Sequence, residues 1–162
     1  MNDWQNFFVA EVGASAALLG LLFVSISINL SKILSFRALP NRAFGALLAL
    51  LAVLVVSSLS LTPGQPMPIV GLEVMVIGVC AWAAITLFDV DVWRNTDKDA
   101  DHRPRLIVLS AIDQVATLLY VVAGVVIFKN GVVGVYWLVP AFLFSFVKAT
   151  MDAWVLLIEI NR

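Results

Sequence analysis

The chain has 162 residues, 62% of them hydrophobic and 13% charged, with a formal net charge of -1. Soluble proteins carry about 25% charged residues, so most of this chain belongs in lipid, and the near-zero net charge gives no basis for nucleic-acid binding. A single cysteine, Cys80, excludes an intrachain disulfide scaffold, and the length is that of one domain, here a transmembrane domain over 1–162.

Met1-Asn2-Asp3-Trp4 lacks the basic region of a cleavable signal peptide, so the first apolar run is expected to stay as a membrane span. A helix needs about 20 apolar residues to cross the bilayer core. The first such run is Phe7–Leu30. In it Glu11, Ser15, Leu18, Leu22, Ser25 and Asn29 recur at spacings of four and three, which is one stripe of a slightly under-wound helix. Gly13, Ala17, Gly20, Ser27 and Ser31 form a second stripe, nearly opposite. Small residues at this spacing let helix backbones approach closely. Two readings follow. Both stripes face neighbouring helices of one subunit, or the first lines a pore at the axis of a homo-oligomer. In the second case Glu11 forms an outer carboxylate ring, the leucines a constriction and Ser25 with Asn29 an inner polar ring; acidic rings favour cations.

A short polar link, Ser31 to Arg42, contains Pro40 and leads to the second span, Ala43–Leu61. The Pro-rich run Thr62 to Pro68 predicts a tight turn into the third span, Ile69–Phe88. At 1.5 Å per residue, Glu11 lies roughly 6 Å inside the outer end of the first span. Glu73 lies about as deep in the third, which predicts an outer acidic layer of Glu11 and Glu73. Two carboxylates at one depth repel, so the layer calls for a shared cation or a shared proton. Ser57, Ser58 and Ser60 are close in depth, and Lys129 is a nearby base whose stem lets it snorkel to the surface.

Asp89 to Arg105 is the long hydrophilic link, followed by a fourth span, Leu106–Phe128, a turn at Lys129-Asn130-Gly131, and a fifth span, Val135–Ile158. Pro140 is expected to kink the fifth span and free a backbone carbonyl near mid-membrane. Ser110, Asp113, Thr117 and Tyr120 make a polar stripe on the fourth span; Ser145, Lys148, Asp152 and Glu159 make one on the fifth. Charges at the centre of a membrane helix cost about 2.5–3.5 kcal/mol on insertion scales. Lys148 and Asp152 are four residues apart and share a face. A cluster of Asp113, Lys148 and Asp152 is therefore the simplest neutralisation, with Ser25 and Asn29 at the same depth. It reads either as an ion pair locking the fourth and fifth spans or as part of a water-filled vestibule or proton path.

Basic residues set the expected orientation. Lys32, Arg37 and Arg42 sit in the first link, and Arg94, Lys98, Arg103 and Arg105 in the third; Arg162 ends the chain. The positive-inside rule puts both links in the cytoplasm, the N-terminus outside and the C-terminus inside. Trp4, Tyr136 and Trp137 form an outer aromatic belt, with Trp93 and Trp154 near the inner face. Four spans, with one segment re-entrant or interfacial, is the alternative count.

The catalytic inventory is thin. His102 is the single histidine and lies in the charged link, which excludes a His-based metal site or nucleophilic triad within the membrane of one subunit. Asp97-Lys98-Asp99-Ala100-Asp101 starts like a calcium loop, but the sixth position lacks Gly and Val108 holds the twelfth. No catalytic residue, metal or cofactor is assigned, and the protein is read as a non-enzyme.

The run Gly13 to Leu30, the turn Leu61-Thr62-Pro63-Gly64-Gln65 and the closing Ala153 to Arg162 resemble an uncharacterised family of small bacterial polytopic membrane proteins. The resemblance covers nearly the whole chain. It implies a multi-pass protein of the bacterial inner membrane and brings no established activity or site residues.

The sequence thus predicts an all-α transmembrane bundle of five spans. The leading functional expectation is a homo-oligomeric cation channel lined by the first helix. The alternative is a non-catalytic accessory or regulatory protein that docks a cytoplasmic partner through its charged link. The lipid bilayer is its solvent in either case.

Overall fold

A computed structural model describes residues 2–35, 39–95 and 103–158. Arg37, Lys98, His102, the run 97–101, Glu159 and Arg162, and the side chains of Arg103 and Arg105, lie outside the described residues. Every described element is helical: α1 (Asn2–Ile28), α2 (Leu30–Ser35), α3 (Leu39–Ser60), α4 (Met67–Asn95), α5 (Arg103–Asn130), a 3-10 segment (Gly131–Trp137) and α6 (Leu138–Leu157). Four stretches are long and apolar enough to cross a membrane: Trp4–Ile28, Leu39–Ser60, Met67–Asp91 and Ser110–Leu157. The last joins α5, the 3-10 segment and α6.

The turns follow from backbone chemistry. Gly64 has φ 73° in the Pro-rich turn and Gly131 has φ 65° just after α5. This left-handed region strains any side chain with a Cβ, so glycine ends the helix there. After Gly131 the chain doubles back, and α5 packs against both the 3-10 segment and α6. Pro140 does not kink a mid-span helix, contrary to the sequence expectation. α6 starts at Leu138, which puts Pro140 in the first turn. The N–H that proline lacks would have no intrahelical partner at that position anyway.

α4 and α5 pack backbone to backbone. A Cβ added to Gly71 would come within 2.5 Å of the Phe128 nitrogen, and one added to Gly124 within 2.5 Å of the Met75 nitrogen. The missing side chains let the two backbones touch. Around this pair the interior divides into two apolar clusters. One, at the end carrying Trp4, contains Phe8, Val53, Val56, Val74, Ile127 and Phe142. The other, at the end carrying Arg42, contains Leu22, Ile33, Ala46, Leu50 and Leu156. Trp4 closes the first end with an edge-on contact to Tyr136 at 4.8 Å.

Candidate functional site: a buried ion-pair network

The site begins with a spacing on α6. Ser145, Lys148 and Asp152 stand on one helix face and all three are buried. Lys148 lies about 15 Å along α6 from Leu138, near the middle of the helix. Its ammonium donates to Asp152 Oδ2 at 2.8 Å, within the same helix, and reaches Asp113 Oδ2 on α5 at 2.7 Å. The remaining oxygen of Asp152, Oδ1, accepts from Arg42 Nε on α3 at 2.6 Å. Three helices thus meet in four charged groups, and both oxygens of the fully buried Asp152 are taken. Charge-assisted bonds of this length offset the cost of removing ions from water. Arg42 is the member that reaches the surface, with its side chain 22% exposed.

The structure therefore brings Asp113, Lys148 and Asp152 together and adds Arg42. In sequence Arg42 reads as part of a cytoplasmic link. Two observations place it in the network: α3 begins at Leu39, before the apolar run, and Arg42 stands four residues from the fully buried Ala46, on the same inward face of the helix. A fifth group, Asp89 of α4, lies within electrostatic reach of Lys148, Asp113 and Asp152. It accepts a long bond from Gln114 Nε2 at 3.5 Å. Gln114 in turn accepts from Trp82 Nε1 at 2.7 Å and donates to Thr86 Oγ1 at 3.2 Å, which fixes its amide. With Asp89 included, three carboxylates face two bases.

From the network toward the Trp4 end a few polar groups are set into the apolar cluster. Thr117 donates to the Asp113 carbonyl at 2.8 Å. Tyr120 and Ser145 share a hydrogen bond of 2.9 Å, fully inside the bundle. The Glu11 carboxylate is within electrostatic reach of Tyr120. Glu11 Oε2 and Ser57 Oγ are buried with no hydrogen-bond partner.

The stripe of α1 falls inside the subunit. Ser15 is fully buried and Leu22 3% exposed, with Leu22 packed in the Arg42-end cluster and Leu18 against it. Ser15, Ser25 and Asn29 bond to carbonyls of their own helix and not to the ion-pair network. The opposite stripe faces outward: nothing lies within 4 Å of a Cβ placed on Gly13 or Gly20. Glu73 Oε2, like that of Glu11, is buried without a hydrogen-bond partner, but α1 packs on α3 and α6 while α4 packs mainly on α5 and α3. The two acids of the expected outer layer thus belong to different helix contacts.

Among the described residues, no three of His, Cys, Asp and Glu stand together as metal ligands. Comparison of the chain with protein-family models, curated proteins and solved structures finds no match.

Proposed function

We propose that this chain is a five-crossing helical protein of a bacterial inner membrane that carries a monovalent cation, the proton included, through the interior of its own subunit. The reversal at Gly131 supports counting α5 and α6 as separate crossings. The basic residues Lys32, Arg42 and Arg94 favour an Arg42 end that faces the cytoplasm, with the N-terminus outside. Copies that associate would then place their polar interiors side by side, because the Glu11 to Asn29 stripe is packed within each subunit.

The observation that carries the reading is Lys148, held at mid-helix between Asp113 and Asp152 with Asp89 nearby. Ionisable groups at this depth are expensive, and in membrane proteins they mark ion and proton pathways. A static lock between two helices needs one acid and one base. Here three acids share two bases, and the Tyr120–Ser145 hydroxyl pair lies on the same two helices as Asp113 and Lys148, within electrostatic reach of Glu11. The carboxylates and hydroxyls among these groups can hand on a proton or coordinate a cation. The Lys148 ammonium occupies the place that a transported cation would take between the two carboxylates.

Purified protein in liposomes loaded with pH-sensitive and sodium-sensitive dyes tests this. Wild-type vesicles should respond to an imposed gradient faster than protein-free vesicles, and Asp113→Asn should slow that response at least about tenfold, the equivalent of 1.4 kcal/mol. A folded wild type that passes neither protons nor monovalent cations contradicts the proposal and leaves the accessory role.

A further inference from the structure

The bundle is joined differently at its two ends. At the Trp4 end α1, α3, α4, α5 and α6 all give residues to one apolar cluster, among them Phe8, Val56, Val74, Ile127 and Phe142. At the Arg42 end the apolar cluster draws on α1, α2, α3 and α6, through Leu22, Ile33, Leu50 and Leu156. Neither α4 nor α5 gives a residue to it.

α4 and α5 are instead held to each other along their length. Gly71, Gly78 and Gly124 bring their backbones into contact; a Cβ on Gly78 would come within 2.8 Å of Tyr120 Cβ. Further toward the Arg42 end polar bonds take over. Trp82, Thr86, Asp89 and Trp93 recur at spacings of four and three, one face of α4. The first three bond Gln114 of α5, and Trp93 Nε1 donates to Ser110 Oγ at 3.1 Å. The two helices thus form one stiff body. On the other side, Arg42 and Asp152 tie α3 to α6. Between these bodies, at the Arg42 end, lies the buried ion pair of Lys148 and Asp113 at 2.7 Å. Two further contacts sit at the rim. Asn41 donates to Asp91 Oδ2 at 2.8 Å in an exposed position, and the exposed Phe44 meets Phe88 edge-on at 5.3 Å. Lipid tails are as apolar as leucine, so parting two apolar helix faces within a membrane has little hydrophobic cost. The buried charge pair is what resists it.

We propose that α4 and α5 form an arm, hinged in the Trp4-end cluster and latched at the Arg42 end by Lys148 on Asp113, and that neutralising Asp113 lets the arm swing from α3 and α6 and opens the ion-pair network at that end. Asp113 faces Lys148 and Asp152 of α6 and Asp89 of α4, and Arg42 of α3 bonds Asp152 behind them. With a proton on Asp113, two carboxylates remain for two bases, so the network balances without its charge. Lys148 keeps Asp152, its partner on the same helix, at 2.8 Å. The arm rests on the transport reading for its purpose, as the access step, but its motion is measurable without flux. From Gly78 to Asn95 the arm runs about 25 Å, so a tilt of about 10° carries its end roughly 4 Å.

The test is electron spin resonance distance measurement on the full chain in lipid nanodiscs, with nitroxides on paired cysteines in a Cys80→Ala background. Val90 with Leu34 spans the Arg42 end and Val9 with Leu72 the Trp4 end; all four are exposed. In otherwise wild-type protein the Val90–Leu34 distance should be short at alkaline pH and should lengthen by roughly 4 Å on mild acidification. Asp113→Asn should show the longer distance at both. The Val9–Leu72 distance should stay fixed throughout. The pH series leaves the network unsubstituted, so it stands even where Asp113→Asn does not fold. A Val90–Leu34 distance that acid leaves unchanged overturns the proposal, as does a folded Asp113→Asn that keeps the short distance. Equal lengthening of Val9–Leu72 overturns it too, since the whole bundle would then be loosening. An arm that swings in a protein without flux in liposomes would remove the transport reading and leave the hinge; flux with the arm fixed would do the reverse.

Discussion

Arg42 and Asp152 stand 110 residues apart in the chain and meet at 2.6 Å, guanidinium Nε to carboxylate Oδ1. This contact ties α3 to the end of the bundle where α5 and α6 are already joined through Lys148. Replacing Arg42 with Gln should lower stability by about 1.5–3 kcal/mol, the range for a hydrogen bond to a charged group. Lysine at this position should recover only part of it, because it lacks the planar fork that aims Nε at Oδ1. Thermal melting in nanodiscs measures both losses. Equal stability of wild type and Arg42→Gln would show that the pair adds nothing.

Lys148 carries more of the burden, since it serves two carboxylates. Lys148→Met leaves Asp113 buried without a base and Asp152 with Arg42 alone, and should cost about 3–5 kcal/mol. The double variant with Asp152→Asn removes a charge of each sign and should be more stable than the sum of the two single losses, with a coupling of about 0.5–3 kcal/mol. Strictly additive losses in the melting cycle would contradict the geometry at 2.8 Å.

The glycines give a contrast that one residue type should reveal. Gly71→Ala and Gly124→Ala push a Cβ into the facing backbone of α5 or α4 and should each destabilise by about 1–3 kcal/mol. Gly13→Ala and Gly20→Ala meet open space, and alanine is the better helix former by about 1 kcal/mol. They should leave the melting temperature unchanged or raise it.

These results also mark what the sequence discloses. The cluster of Asp113, Lys148 and Asp152 is legible because helical periodicity fixes faces and residue counting fixes depth. Arg42 is not, because its place in a basic link hides that the helix already runs past it. Periodicity likewise reveals two stripes on α1 without saying which neighbour each meets; that depends on α3 and α6, which pack from elsewhere in the chain. The same ambiguity makes Gly13 and Gly20 look like packing glycines, whereas within the subunit Gly71 and Gly124 take that role. Pro140 misleads for a related reason: its effect depends on where α6 begins, and the 3-10 turn before it has no sharp composition signal.

On the proposed path the Tyr120–Ser145 pair would link the ion pairs to Glu11. Tyr120→Phe keeps the ring in the core and deletes only the hydroxyl. It should cost about 1 kcal/mol in stability while reducing cation flux by much more than that loss of folded protein explains. A flux equal to wild type would place the path away from this pair.

Orientation can be checked with single cysteines at Asn2 and Asn95 in a Cys80→Ala background. In the proposed orientation, drawn from the basic residues near Arg94, a membrane-impermeant thiol reagent added to intact cells should label position 2 and spare position 95. The opposite pattern would invert the bundle.

Buried charges of this kind either act in transport or only hold the helices together. The direct measurement is cation and proton flux through liposomes containing the Lys148→Met, Asp113→Asn double variant, chosen because removing one charge of each sign preserves the balance of the network. The predicted result is a folded protein, by melting and elution profile, with flux reduced to the level of protein-free vesicles while wild type conducts. Flux in the double variant equal to that of wild type would contradict it, and would reduce the network to a structural clamp.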